Sequence, residues 1–448
     1  MKAQPIQSGA LKGAGTVCFI GDSITHAGSF HKIMTDVSTL RWPGRRRWVN
    51  CGISGNSAAG ALEQFATDIA PHRPTQAFVM FGMNDGNYRL YERQLKGTVG
   101  NAAARSEAIG VHKASLATLV DRLRALGTRA ISLISPTPYD QYSHLEAGNE
   151  LAGYDDALAE MGAAARALAE RTGIGFIDLH TPVREAVRTE AAAGKATYIH
   201  NDRMHPLPVG HLLMAVTILE ALGTPAGVAR TELHADGRAA AENATITDVT
   251  ITPNRLEWTY AARALPCGAP ADAWAAAPAP LQAAWRALNC ETVTIRGLAA
   301  GDYELTVAGQ RVVTATAAEW AAGVDLAGIA HAPQVVQAAA VCRLTEARHQ
   351  LTISRVRNPT AARMFLKWDC QALRQRGGVV PEDEIAAARQ FIAAGEGNPY
   401  ILELYNDLLK YGSVEGQAET AAQLAALDAA IEQAAAIPVR QFVVKNTY

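Results

Sequence analysis

The sequence predicts an α/β protein whose amino-terminal half is a parallel sheet covered on both faces by helices. Short apolar runs at 16–20, 47–51, 76–81, 129–134 and 174–179 have the length and residue types of buried strands. Segments with helical spacing lie between them at 57–69, 105–126 and 150–172, and another follows at 208–222. Such alternation implies right-handed crossovers, with ligands bound beyond the carboxyl ends of the strands. Polar, chemistry-bearing turns fall at those ends.

The first run, Val17-Cys18-Phe19-Ile20, leaves through Gly21 and presents Asp22-Ser23 as the first helix begins. The second leads into "NCGISGNSAAG" (50–60), a glycine-rich turn feeding a helix, and the third into "FGMNDGN" (81–87). The fourth leads into "SPTPYDQYSH" (135–144), and "NDRMHPLPVGH" (201–211) precedes the last helix of the α/β part. Past residue 222 the pattern shifts to shorter alternating stretches at 245–260 and 291–315, which predict a β-rich region shaped as a small sandwich. From about 334 the chain turns alanine-rich with helical periodicity, and "PEDEIAAARQFIAAG" reads as a helix start. The expected organisation is a catalytic domain over 1–225, a β-rich accessory region over 226–333 and a helical region over 334–448.

Composition narrows the function. A chain of 448 residues suits two or three domains, and 49% hydrophobic with 19% charged residues suits a large buried core. A formal net charge of −2 gives no reason to expect nucleic acid or an anionic membrane as partner. No apolar run is long enough to span a membrane. The stretch "MKAQPIQSGALKGAG" has no apolar core of the signal-peptide kind. The chain as written is therefore expected in the cytoplasm, or in the periplasm or outside the cell if a leader has been removed. Six cysteines in this length do not form a disulfide framework, and Cys18 and Cys51 are expected as buried thiols. With no Cys-x-x-Cys or His-Glu-x-x-His, no metal site and no cofactor are expected. Gly9, Gly13 and Gly15 precede the first strand, the wrong context for a phosphate loop.

The turns assemble the parts needed for acyl transfer. A serine hydroxyl becomes a useful nucleophile when an imidazole takes its proton, and Ser23 and His205 supply that pair. Asp202, three residues before His205, can reach the other ring nitrogen and fix its tautomer. The backbone N–H groups of Ser23 and Gly55 and the side-chain amide of Asn84 can face a developing oxyanion. His200 and His211 are rival histidines without an Asp three residues ahead. Ser54 and Ser57 are rival serines in a loop better suited to donating N–H groups. Asp22, Tyr88, Arg89, Tyr139 and Tyr142 are expected to contact substrate, with Tyr91, Arg93, Asp140 and His144 in the same two loops. "RWPGRRRW" (41–48), with Arg45, Arg46 and Arg47 between two tryptophans, could suit an anionic polysaccharide, but it enters the second strand from the opposite edge and is expected as a solvated basic surface.

"FIGDSIT", "NCGISGNS", "FGMND" and "DRMHP" together resemble the four sequence blocks of the SGNH (GDSL-type) hydrolases. The resemblance spans roughly 15–222 and implies a flavodoxin-like three-layer α/β/α domain and a metal-independent serine esterase. Position by position, it implies that Ser23 is the nucleophile, Gly55 and Asn84 oxyanion-hole residues, and Asp202 and His205 the rest of the triad. Asn56 departs from the pattern, since many members carry Asp there. The polar rim loops favour a short acyl group, acetate, on a small-molecule or glycan alcohol. A lipase or thioesterase for longer chains, and an inert binding protein on the same fold, are the competing functions.

Overall fold

The computed structural model describes residues 11, 14–44, 46–91, 101–145, 151, 153–196, 198–395 and 398–447. Arg45 and Arg93 lie outside the described residues.

Five parallel strands form the central sheet: β1 (Gly15–Gly21), β2 (Arg46–Gly52), β3 (Gln76–Met80), β4 (Ala130–Ile134) and β5 (Gly175–Ile177). Their order is β2-β1-β3-β4-β5, the doubly wound flavodoxin-like arrangement. The strands read as unbroken apolar runs because both faces are buried. Val17, Phe19, Phe78 and Met80 point into one core, whereas Cys18, Ile20, Ala77 and Val79 point into another. Successive side chains on a strand take opposite faces, so each run feeds two cores at once.

Helices α1 (Ser23–Ala27), α2 (Ser29–Arg41), α3 (Ala58–Gln64), α4 (Asn101–Ala125), α5 (Tyr154–Thr172), α6 (His180–Ala192) and α7 (Pro208–Ala221) cover the sheet. On one face α2 and α7 bring Phe30, Ile33, Met34, Leu212 and Leu219. On the other, α3 and α4 bring Ala58, Ala61, Leu119 and Leu123.

The accessory region pairs β6 (Ala229–His234), β7 (Ala239–Glu242), β8 (Ala244–Thr252), β9 (Arg255–Ala262), β10 (Glu291–Arg296), β11 (Asp302–Val307), β12 (Gln310–Thr316) and β13 (Val324–Asp325) into two sheets. Leu233 and Ile295 from one sheet meet Trp258, Leu305 and Val307 from the other in a single core, as in a sandwich. Three helices interrupt the strands: α8 (Ala271–Ala276), α9 (Ala279–Asn289) and α10 (Ala317–Ala322). Trp285 and Leu288 of α9 pack into the core on the α2–α7 face of the central sheet.

The tail comprises α11 (Pro333–Thr352), a π-helical turn (Ile353–Arg357), α12 (Asn358–Gln375), α13 (Glu384–Ala394), α14 (Pro399–Tyr411) and α15 (Val414–Ala435). It does not stay helical. Arg440–Asn446 forms β14, which lies between β9 and β11, so the accessory sheet closes only with the last residues of the chain.

The "RWPGRRRW" segment is not simply a solvated surface. Trp42 and Trp48 are half-buried against the main core, and Trp48 stacks on Phe19 at 5.9 Å. Arg46 sits 5.7 Å over the Trp48 ring, while Arg47 is exposed beside His72. These residues line a cavity of about 700 Å³ that α11 and α15 close from the far side. The tail covers a strand entrance that the sequence leaves open to water.

Candidate active site

In the strand order, the neighbours of β1 are β2 on one side and β3 on the other, so the chain reverses direction there. Ser23 follows β1, the Gly52–Gly55 loop follows β2, and Asn84 follows β3. All three therefore leave adjacent carboxyl ends at the switch point, where ligands bind in open α/β sheets.

Glycine makes the Ser23 turn possible. A Cβ on Gly21 would lie 2.2 Å from Thr25 Oγ1 and 2.6 Å from the Met80 carbonyl, and one on Gly52 would lie 2.3 Å from the His26 nitrogen. The short helix α1 thus rests directly on the ends of β1 and β2. Asp22 caps it by accepting from the Ile24 N–H at 3.0 Å. Gly28, at φ 68°, closes α1 with its N–H on the Ile24 carbonyl and opens α2.

Ser23 Oγ lies 2.8 Å from His205 Nε2, and His205 Nδ1 lies 2.6 Å from Asp202 Oδ2. The other carboxylate oxygen of Asp202 accepts from the backbone N–H groups of Met204 and His205 at 2.9 and 3.0 Å. With that carboxylate on Nδ1–H, His205 Nε2 is left as an acceptor facing the serine hydroxyl. Burial works to raise the Asp202 pKa, but the His205 ring and the two amides outweigh it and hold the group at about 2. The Asp202 hydrogen bond raises the His205 pKa above its ordinary 6.5 against the opposing effect of burial. Burial pushes the Asp22 carboxyl up to about 7.

The sign of the pH effect follows. A proton-accepting His205 must be neutral, Asp202 is ionised throughout the working range, and the His205 pKa is raised. Ester hydrolysis is therefore expected to rise with pH along a limb centred above 6.5, measured as kcat/KM of the free enzyme. An Asp22→Asn variant should keep this limb, with the midpoint lowered only to the extent that Asp22, which itself titrates near 7, is ionised there. A midpoint well below 6.5 in the unmodified enzyme would contradict the assignment.

Gly55 takes φ 76° and is partly exposed, so its backbone can approach a ligand where a side chain would be strained. Asn84 Nδ2 donates to the Asn56 carbonyl at 2.9 Å, which holds the amide, a group with two N–H donors, against the same loop. Asn56 itself is buried; its Oδ1 accepts from the Ser57 N–H and its Nδ2 donates to Gln64. The departure at this position is absorbed by local hydrogen bonds.

The rivals have other occupations. Ser57 caps α3 through the Gly60 N–H, and Ser54 lies between His26 and Tyr400. His211 is buried against Phe30, where burial lowers its pKa to about 3. His200 is exposed and holds the turn through its backbone, donating to the His205 carbonyl at 2.8 Å.

Several expected substrate contacts are displaced. Asp22 is buried as a helix cap, not open to ligand. Tyr139 is 1% exposed: the Pro-rich loop folds it inward against Tyr154, and its hydroxyl accepts from the Leu151 N–H. Asp140 is equally buried and accepts from the Tyr142 and Ser143 N–H groups, and Tyr91 is buried beneath Arg105. Tyr88 and Tyr142 are partly exposed, and Arg89 and His144 are exposed. Tyr142 also donates to Asp155 at 3.3 Å.

Arg203 was not among the candidate residues, yet it fixes the Asp202–His205 turn. Held at φ 65°, it sends its guanidinium to the Asp140 and Ser143 carbonyls at 2.9 Å each. Its place between Asp202 and His205 is its one sequence signal, and its burial shows only in the structure. Asp85 is a second such residue, accepting from the Ala58 N–H at the start of α3 and from His112. Beside Asn84 a cavity of about 380 Å³ is lined by Ser57, Asn87, Leu90, Val111 and His112 among others. Among the described residues one trio, Asp36, Cys267 and Cys342, brings metal-ligating atoms within 4.8 Å of one another. There Asp36 is already engaged by Lys32 at 3.0 Å and by Thr345.

A serine, an imidazole and a carboxylate in hydrogen-bonded series at the switch point of a doubly wound sheet are the groups that serine-type acyl transfer uses. Residues 19–213 match the GDSL-like Lipase/Acylhydrolase family. That match covers the α/β part of the chain and supports a hydrolase of the esterase kind. An acetylxylan esterase from Geobacillus stearothermophilus is 28% identical over 221 residues, which are 46% of this chain and 92% of that one. Among solved structures, a gut microbial diltiazem-metabolizing enzyme superposes with a TM-score of 0.82 at 24% identity, over 97% of this chain and 98% of its own. That likeness shows that the whole architecture, accessory sheets and helical tail included, is a shared fold.

Proposed function

We propose that the protein is a serine esterase that removes a short acyl group, acetate, from a carbohydrate. The observation that carries the reading is the Ser23–His205–Asp202 series, with separations of 2.8 and 2.6 Å. His205 Nε2 takes the Ser23 proton as Oγ bonds to the ester carbonyl carbon. The Ser23 and Gly55 N–H groups and the Asn84 amide stabilise the resulting oxyanion. The intermediate collapses with loss of the alcohol, which takes the proton from His205, and leaves an acyl-serine. Water then attacks the acyl-serine with His205 as base, releasing the acid and restoring Ser23. No step requires a metal.

The carbohydrate part has three supports. Tyr88 and Tyr142 offer partly exposed rings on the rim for a sugar face. Ser57, Asn84, Asn87 and Glu107 give the neighbouring cavity a polar lining, and the curated relative is an acetylxylan esterase. A chain-length series on chromogenic esters is the test. The highest kcat/KM is expected on acetate, together with acetate release from acetylated xylo-oligosaccharides. Preference for chains of about eight carbons or more, with no release from any glycan, would replace this reading with a lipase.

A further inference from the structure

The loop that follows β2 is gripped from behind by the carboxyl-terminal helices. Arg357, fully buried at the end of the π-helical turn, donates to the Gly52 carbonyl at 3.0 Å and forms a two-point pair with Asp68 at 2.8 Å. Ile53 packs into the apolar core of α12 and α14 with Ala361, Ala362, Met364 and Leu404. Ser54 Oγ lies 2.6 Å from the Tyr400 hydroxyl of α14, a residue 346 positions away. A Cβ placed on Gly55 would lie 3.0 Å from the Phe365 ring.

A second line of contacts reaches α1. The Ser54 N–H donates to His26 Nδ1 at 3.1 Å, so His26 carries its proton on Nε2 and donates to Asn358 Oδ1 at 2.9 Å. Asn358 in turn donates to Asp407 at 2.7 Å. The π-helical turn ends at Arg357, which meets the loop directly, and is followed by Asn358, which reaches it through His26, and π-helical insertions are frequent at functional sites.

We infer that the helical tail is part of the catalytic apparatus: Tyr400 is a positioning residue that acts through Ser54 to hold the Gly55 N–H on the developing oxyanion. Gly52, Ile53 and Ser54 each meet a side chain of the tail, and the Phe365 ring stands where a Gly55 side chain would go, an arrangement plain domain packing does not require. A donor displaced by a fraction of an ångström stabilises the transition state less while leaving substrate binding nearly unchanged. The inference rests on Gly55 serving as an oxyanion donor.

The test uses the full chain with Tyr400→Phe, Ser54→Ala and the double variant. Tyr400→Phe keeps the ring, and Tyr400 is 42% exposed, so folding is retained. Each single variant should lower kcat by about tenfold with KM within about twofold, and the double should lose no more than Ser54→Ala alone. The inhibition constant of an arylboronic acid, which forms a tetrahedral anion on the serine, should rise in step with the loss in kcat/KM. Single variants within about twofold of the parent kcat, losses confined to KM, or losses that multiply in the double would overturn the coupling. Ser23→Ala and Asn84→Ala in the same assay separate the two readings. If they are inactive while Tyr400→Phe is unaffected, only the coupling fails; if they remain active, the site reading fails with it.

Discussion

Replacing Ser23 or His205 by Ala is expected to lower kcat by at least about a thousandfold while leaving the fold intact. In the proposed mechanism the two side chains act as one unit, with the 2.8 Å contact between Oγ and Nε2 as the route by which the hydroxyl proton leaves. Without Ser23 no acyl-enzyme forms. Without His205 the hydroxyl is a weak nucleophile and the departing alcohol has no proton donor. Losses in the double variant should therefore fall far short of the product of the single losses. Asp202→Ala should cost less, because it removes orientation and charge support but spares the groups that exchange the proton. Steady-state rates on a chromogenic acetate, with circular dichroism to verify folding, measure all of these. Near-parent turnover in either single variant would remove the assignment.

Asn84→Ala should lower kcat by on the order of a hundredfold with little change in KM. The Asn84 amide is held by the Asn56 carbonyl at 2.9 Å, so it is already oriented before substrate arrives. A donor fixed in advance favours the charged intermediate over the neutral ester, and its loss is felt in turnover more than in ground-state binding. An effect confined to KM would make Asn84 a substrate-binding residue and leave the third donor to be found elsewhere.

Much of the sheet is legible because its signals are local. Val17 to Ile20 form an apolar run because both faces of β1 are buried, and Asp202-x-x-His205 is a pair that one tight turn brings together. What the sequence hides depends on distant partners. Tyr139 and Asp140 look like rim residues, yet Asp155, sixteen residues beyond Tyr139, and the buried Arg203 draw that loop inward. The strand Arg440–Asn446 follows a long helix and pairs with residues near 260, so nothing near it in sequence reveals its seat. The link from Tyr400 to Ser54 joins the two ends of the chain and has no spacing that could announce it.

Ser23 is the group proposed to carry the acyl chain. The most direct measurement is to inactivate the protein with a fluorophosphonate and locate the adduct by mass spectrometry of its peptides. One adduct per chain is expected, on Ser23, formed in step with the loss of esterase activity and absent from Ser23→Ala. An adduct on Ser54 or Ser57, or full activity in a protein that takes up no label, would contradict it.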